Sequence, residues 1–177
     1  MTTQPLLAAL AAALMAVGSA WAEPAPRLST ADQARIDQWE EHRARAVAHA
    51  NLHAPAEALD ELAHVLDGHP RVWLGEDFTG PWRCRAVRLS EAEPVRLFPW
   101  GDCRVTEDAQ GLMLEKRGGS WRTRGRLYPR SDRELLYIDA SARQVAVAVS
   151  PLEERLRLEF PQPRPGVALE VLELRRP

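Results

Sequence analysis

The stretch WRTRGRLYPRSDRELLYIDASARQVAVAV, residues 121–149, decides the fold class of this chain. It contains three short runs rich in aromatic, β-branched and aliphatic residues, at Trp121–Tyr128, Glu134–Asp139 and Gln144–Val149. Turn-forming residues separate these runs, and no helical period interrupts them. Short runs divided in this way predict antiparallel strands.

The same pattern continues on both sides of this stretch, from residue 75 to residue 177. Six further runs are predicted as strands: Trp82–Leu89, Val95–Trp100, Cys103–Thr106, Leu112–Lys116, Arg155–Phe160 and Val167–Leu174. Many short strands are typical of a sandwich or a closed barrel, and a closed barrel leaves no exposed edge. We therefore predict an α+β chain, mainly β, whose domain at residues 75–177 is a small antiparallel β-barrel.

The last predicted strand, Val167–Leu174, changes the parity of its apolar residues. Leu169 and Val171 are apolar at odd positions, whereas Leu172 and Leu174 are apolar at even positions. Because successive side chains of a strand point to opposite faces, this change predicts a bulge near the middle of the strand.

Residues 23–74 predict a tether, at residues 23–28, followed by a helical hairpin. Ser29 or Thr30 can cap the first helix, and Pro55 can open the second. Apolar residues fall on one face of each predicted helix: Ile36, Trp39, Ala46, Val47 and Ala50 in the first, then Ala56, Leu59, Leu62, Ala63 and Leu66 in the second.

The N-terminus predicts export from the cytoplasm. An apolar core from Leu6 to Gly18 precedes Ala20-Trp21-Ala22, a small-x-small pattern that signal peptidase recognises. The core is shorter than the roughly 20 residues of a membrane span. We predict that residues 1–22 are a signal peptide and that the mature chain, which begins at Glu23 and has no membrane span, is periplasmic or secreted.

Cys84 and Cys103 are the only cysteines of the chain. Two cysteines in an oxidising compartment are usually paired, so we predict a disulfide bond between them. The loop that this bond closes has about 20 residues, which corresponds to about 3 kcal/mol of stabilisation by chain entropy. A reactive thiol is the alternative.

The composition argues against the commonest catalytic sites. The predicted barrel has no imidazole, which is the commonest general base and zinc ligand, and paired cysteines provide no nucleophile. We therefore predict no catalytic residue, no metal and no cofactor. The formal net charge of −2 gives no indication of a nucleic-acid partner. All five histidines precede the β-region: His42, His49, His53, His64 and His69.

Several short motifs follow one another through the β-region: Gly80-Pro81-Trp82-Arg83-Cys84-Arg85, Cys103-Arg104-Val105, Leu114-Glu115-Lys116, Arg122-Thr123-Arg124-Gly125-Arg126-Leu127-Tyr128-Pro129 and Glu170-Val171-Leu172-Glu173-Leu174. In their order and spacing the chain resembles a family of exported bacterial proteins called domain of unknown function 4893. The resemblance runs from about residue 75 to the C-terminus, and it implies no activity. One departure is the short turn between Asp139 and Val145, where members of the family often carry a longer insertion.

The sequence Gly80-Pro81-Trp82 also resembles the opening of lipocalin-like, or calycin-like, barrels. This resemblance implies that Trp82 plugs one end of the barrel and that an arginine packs across its ring. Arg85 and Arg122 are the candidates for that cation–π contact.

Arginines on the predicted strands form the candidate ligand-binding site. A guanidinium group presents a planar fork to carboxylate or phosphate, and large aromatic rings can line a pocket. We therefore predict that Arg85, Arg104, Arg122 and Trp82 bind a ligand. The alternative is that the arginines only face water and that Trp82 belongs to the core.

Three functional hypotheses follow from these patterns. The first is an exported, non-catalytic binding or interaction protein, whose partner is a small apolar or anionic molecule or another envelope protein. The second is a barrel-type inhibitor of an exported protease, and the third is a hydrolytic enzyme. An open interior favours the first, a filled barrel with a protruding segment favours the second, and a buried pair of carboxylates in a cleft favours the third.

Export can be tested directly by mass spectrometry. If the signal peptide is removed after Ala22, protein recovered from the periplasm or the medium has an intact mass that begins at Glu23. Recovery of the full-length chain in the membrane fraction would contradict this prediction.

Overall fold

The computed structural model describes residues 25–73, 76–118, 121–141 and 143–177, so the predicted signal peptide at residues 1–22 lies outside the described residues. The helices are α1 (Thr30–Asp37), α2 (Trp39–His53) and α3 (Ala56–Leu66). The strands are β1 (Gly80–Ser90), β2 (Arg96–Leu97), β3 (Gly101–Asp108), β4 (Gly111–Lys116), β5 (Thr123–Pro129), β6 (Leu135–Asp139), β7 (Val145–Val149), β8 (Arg155–Arg164) and β9 (Val167–Arg175). Among the described residues, no helix is long and apolar enough to cross a membrane.

Eight of the strands form a closed antiparallel barrel. β1 and β3 to β9 follow one another around it in chain order, and β9 pairs with β1 to close it. The closing register is continuous from Arg83↔Arg175 to Leu89↔Leu169. β2 is a two-residue strand that also pairs with β1. The predicted barrel is confirmed, and each of the nine predicted runs contains a strand.

The predicted disulfide bond between Cys84 and Cys103 is present and joins β1 to β3 inside the barrel. The two Cα atoms are 5.8 Å apart. Cys84 is the last residue of β1 that pairs with β3, because farther along β1 the partner is β2. The bond therefore holds β1 and β3 together where their hydrogen-bond ladder ends. A disulfide is compatible with a compartment outside the cytoplasm.

Side chains fill the interior of the barrel. Inward residues from all eight strands meet in one hydrophobic cluster, which includes Trp82 and Leu114. Tyr137 packs edge-to-face against Phe160, with the ring centroids 5.6 Å apart. Gly125 makes room for the tyrosine ring, because a Cβ atom there would lie 2.6 Å from Cζ of Tyr137. In the part of the barrel that the structure describes, core side chains therefore occupy the place of a ligand cavity.

The helices cover the outer face of one side of the barrel. Ile36 of α1 and Trp39 of α2 pack on β6 and β7, against residues that include Val147. Ala50 of α2 and Leu62 of α3 pack on β9 and β1. The strands on this side are therefore buried on both faces. This explains why β7 reads Val-Ala-Val-Ala-Val, without polar residues in alternation.

The prediction of a bulge near Val171 and Leu172 is wrong, because the register irregularity of β9 lies at its start, between Val167 and Leu169. The helical cover explains the pattern that suggested the bulge. Leu169 and Val171 pack beneath the helices, whereas Leu172 and Leu174 point into the barrel. The register with β1 runs through these four residues without a shift. The parity of apolar residues changes because different faces of the strand bury apolar side chains at its two ends.

The first predicted helix is divided at Gln38, so three helices take the place of the predicted two-helix hairpin. Ser29 caps α1 as predicted, because its hydroxyl oxygen accepts a hydrogen bond from the N–H of Asp32. Main-chain hydrogen bonds continue across the division, from Gln38 N–H to Ala34 O and from His42 N–H to Gln38 O. The division is therefore a local irregularity in the helical ladder.

A buried ion pair on β8 lies beneath the helices. Arg157 and Glu159 have relative exposures of 1% and 0%, and Nε of Arg157 lies 2.8 Å from Oε1 of Glu159. Arg157 also donates to the main-chain oxygens of Val65 and Asp67, at the end of α3. Arg43 of α2 lies 3.7 Å from the carboxylate. Burial raises the pKa of Glu159, although the charges of Arg157 and Arg43 oppose this rise. The pair therefore connects α2 and α3 to the barrel.

We predict that Glu159→Ala lowers the free energy of unfolding by about 3–5 kcal/mol, because it leaves the Arg157 guanidinium group buried without its partner. Urea unfolding followed by circular dichroism measures this loss. The control is Glu41→Ala, which removes an exposed carboxylate 3.5 Å from Arg45 and is expected to cost less than about 1 kcal/mol. Replacement of both charges, in Arg157→Met/Glu159→Leu, should restore much of the stability. Equal small losses for the two single variants would contradict this account.

Candidate functional site

The outer face of β3, β4 and β5 lies on the side of the barrel that the helices leave uncovered. Inward and outward residues alternate along these strands, as the burial pattern of β5 illustrates. We define the arginine face as the following five of the charged residues that point outward there: Arg104, Glu115, Arg117, Arg122 and Arg124.

The strand register brings the members of the arginine face together. Arg104 pairs with Glu115 across β3 and β4, and Glu115 pairs with Arg124 across β4 and β5. Arg117 and Arg122 come one position beyond the last paired residues of β4 and β5. Side chains directly opposite each other in antiparallel strands have Cβ atoms about 4.5–5.5 Å apart. The face is therefore a cluster of neighbouring charges and not a set of isolated arginines.

A groove of about 490 Å³ lies beside these arginines. Its lining residues come from β4, β5 and the end of β6. Two of them, Lys116 and Thr123, are buried. The lining residues are Glu115, Lys116, Arg117, Arg122, Thr123, Arg124, Asp139 and Ala140.

The two carboxylates of the groove already have partners. Arg117 donates to Oε2 of Glu115 at 2.9 Å, and this hydrogen bond lowers the pKa of Glu115. Asp139 accepts hydrogen bonds from the Ser141 hydroxyl and from the N–H of Arg143. The side chains of three arginines of the face form neither a hydrogen bond nor an ion pair with any described residue: Arg104, Arg122 and Arg124.

Lys116, the only lysine of the chain, is buried beneath the groove. Its ammonium group donates to the main-chain oxygens of Gly118 and Trp121, so it connects the two ends of the link between β4 and β5. Burial lowers the pKa of Lys116. Thr123 shares a hydrogen bond of 2.5 Å with the hydroxyl of Tyr137. These buried contacts fix the strand ends from which Arg117 and Arg122 project.

The structure separates the four residues that the sequence predicted as a ligand-binding site. Arg104 and Arg122 belong to the arginine face. Arg85 lies elsewhere on the barrel, where it donates to Glu173 at 2.8 Å and its guanidinium carbon is 4.7 Å from the ring centroid of Trp100. Arg85 therefore holds a buried carboxylate of the helix-covered side.

Trp82, the fourth predicted residue, is a core residue with a relative exposure of 3%. Its Nε1 donates to the main-chain oxygen of Phe78 at 2.9 Å. The arginine that packs over its ring is Arg176, at 4.2 Å from the ring centroid, and not Arg85 or Arg122. Arg176 was missed because it follows β9 and approaches Trp82 only when β9 pairs with β1.

Arg117 and Arg124 also line the groove, although the sequence prediction did not include them. The shared strand face of Arg122 and Arg124 was a signal that could have identified Arg124. Arg117 could be found only once the pairing of β4 with β5 was known.

The buried carboxylates of β9 are each held by guanidinium groups. Glu170 lies 3.2 Å from Arg88 and 2.9 Å from Arg164, and Glu173 is bonded by Arg85. Neither carboxylate lines the groove of the arginine face. Because both serve as structural partners of arginine, they give no support to the hypothesis of a hydrolytic enzyme.

Two further grooves lie beside the helices. A groove of about 470 Å³ between α2 and α3 is lined by apolar residues that include Val47, Leu59 and Leu66. A smaller groove of about 180 Å³ lies beside His42 and His49. Among the residues that the structure describes, no group of three or more His, Cys, Asp or Glu side chains could hold a metal ion.

Comparison with known proteins assigns the chain to a family. Residues 26–151 match the model of the family described as Domain of unknown function (DUF4893). The match includes the three helices, β1 to β7 and the whole arginine face, whereas β8 and β9 lie beyond it. No curated protein and no solved structure matches the chain. Because the family model covers most of its length, the chain belongs to the family of domain of unknown function 4893, as its motifs indicated.

Proposed function

We propose that this protein is an exported, non-catalytic binding protein whose arginine face receives carboxylate or phosphate groups of a partner. The observation that carries the proposal is the group of Arg104, Arg122 and Arg124, which form no ion pair with any described residue. Most other arginines of the described chain have a carboxylate within 4.0 Å, as Arg85 and Arg157 do. Guanidinium groups bind carboxylate and phosphate through paired, charge-assisted hydrogen bonds.

The filled interior is contrary to the open cavity expected of a barrel that binds its ligand inside, so the proposed partner is one that binds at the outer surface. Trp82, Tyr137 and Phe160 occupy the space in which a barrel of this size could otherwise enclose one small apolar molecule. Among the partners considered, an envelope protein or an anionic molecule therefore fits better than an apolar ligand in the interior.

A lipocalin-like relationship is part of the proposal. The eight-stranded, up-and-down order of the barrel supports it. The position of Trp82 at the start of β1, with Arg176 across its ring, is the arrangement that the resemblance implies.

Export is also part of the proposal. It rests on the predicted signal peptide at residues 1–22. The division of the mature chain into residues 23–74 and 75–177 is likewise proposed from the sequence. The disulfide between Cys84 and Cys103 is compatible with it, because such bonds persist in oxidising compartments.

Inhibition of an exported protease is the second candidate function, and the filled interior supports it. An inhibitor of this kind would contact its target through the rim of the barrel or through the segment before α1. Substitutions in the arginine face would then leave the inhibition unchanged, which distinguishes the two candidates.

The test of the proposed function is a titration of ¹⁵N-labelled protein with two anionic probes, inorganic pyrophosphate and a glutamate-rich peptide. We predict that at least one probe shifts the amide resonances of β3, β4 and β5. Arg122→Ala should weaken this binding by about tenfold, because one charge-assisted contact is lost. The melting temperature should change little, since the Arg122 side chain has no ion pair to lose within the described chain.

The control variant is Arg27→Ala, which removes an exposed arginine before α1 and leaves the arginine face intact. It changes the net charge by the same amount and is expected to preserve binding. If neither probe binds, or if folded Arg122→Ala and Arg27→Ala protein bind equally well, the arginine face is not the binding site.

A further inference from the structure

The arginine face carries negative charges whose positions limit what can bind there. Glu115 lies in register between Arg104 and Arg124, and Asp139 lines the same groove. A dense polyanion, such as a phosphate chain or an anionic lipid surface, would place negative charge against both carboxylates. Such juxtaposed like charges are unfavourable in an interface. A partner with separate carboxylates can contact the arginines and avoid both acids.

Hydrogen bonds hold the two acids in place. Glu115 accepts from Arg117 at 2.9 Å, and this hydrogen bond lowers the pKa of the Glu115 carboxyl below its usual range. Asp139 accepts from the Ser141 hydroxyl and from the N–H of Arg143 at 2.9 Å. The alternation of positive and negative charge is therefore a fixed property of the face.

The arginines of the groove have the spacing of an extended chain. Arg122 and Arg124 are two residues apart, and both line the groove. Same-side residues of a strand are about 6.6 Å apart, because each residue advances about 3.3 Å. Alternate residues of an extended partner have the same spacing, so two of its carboxylates can meet the two guanidinium groups.

The partner must use side-chain contacts here, because β4 is already paired on both edges. It forms ladders with β3 on one side and β5 on the other. A partner strand therefore cannot add to the sheet at the arginine face and obtain its affinity from main-chain hydrogen bonds.

We propose, as a refinement that rests on the proposed function, that the occupant of the arginine face is an extended acidic segment of a partner protein. Its carboxylates stand at alternate positions, and Arg122 and Arg124 each bind one of them. Because successive side chains of an extended chain point to opposite faces, two carboxylates an odd number of residues apart cannot both reach this pair of arginines. The face therefore discriminates the spacing of acidic residues and not only their number.

The test uses two fluorescent threonine-rich peptides of the same length and composition, each with two glutamates, which stand two residues apart in one peptide and three residues apart in the other. Inorganic polyphosphate of matched charge serves as a competitor in the same anisotropy assay. The peptide with glutamates two residues apart should bind about tenfold more tightly than the other peptide, because both of its carboxylates can meet an arginine at once.

Three variants identify the residues responsible for the preference. Arg124→Ala should reduce the difference between the peptides to less than about twofold, and Arg124→Lys, which keeps the charge without the planar fork, should retain part of it. Arg27→Ala should preserve the full difference. Circular dichroism confirms that each variant is folded before its affinities are compared.

The outcomes separate the refinement from the proposed function. Equal affinity for the two peptides, or tighter binding of polyphosphate than of either peptide, would overturn the acidic-segment inference. If Arg122→Ala then lost its affinity for the peptides or for polyphosphate, that loss would still support an anion site on the arginine face. Failure of the wild-type protein to bind any of these probes would overturn both proposals.

Discussion

The pairing of β9 with β1 is the constraint on which the rest of this structure depends. It joins the last strand of the chain to the first strand of the barrel, in a continuous register from Arg83↔Arg175 to Leu89↔Leu169. Closure removes the two edges that an open sheet would expose. It also allows side chains from all eight strands to fill one interior, and it brings Arg176 onto the ring of Trp82. The strands beyond the family match thus complete and close the barrel that begins in the matched part.

The closed barrel has two different sides, and the composition of its strands reflects them. On the covered side the helices pack over β6 to β9 and β1, and β7 is apolar on both faces. Arg157 and Glu159 lie in this cover and connect the barrel to α2 and α3. On the open side, β5 alternates outward arginines with inward Thr123, Gly125 and Leu127. The helices thereby leave the outer face of β3, β4 and β5 uncovered.

The sequence predicted the strands well because each run is bounded by turn residues, and it predicted the disulfide because only two cysteines exist. It could not predict which strands are covered on both faces. The parity change in β9 suggested a bulge, although the cause is the burial of Val171 beneath helices far away in the chain. The candidate site was half predicted for a related reason. Arg104 and Arg122 share a face only through the register of β3, β4 and β5, whereas Arg85 is separated from them by its bond to Glu173.

Native-state hydrogen exchange of the mature protein tests the central claim, closure by β1 and β9, most directly. If closure holds the barrel together, the hydrogen-bonded amides between β1 and β9 exchange only by global unfolding, so their exchange free energies equal the free energy of unfolding measured in urea. Exchange of these amides at a free energy several kcal/mol below the global value, while those of β4 and β5 remain protected, would show that β9 detaches from a barrel that survives without it. That result would contradict the account.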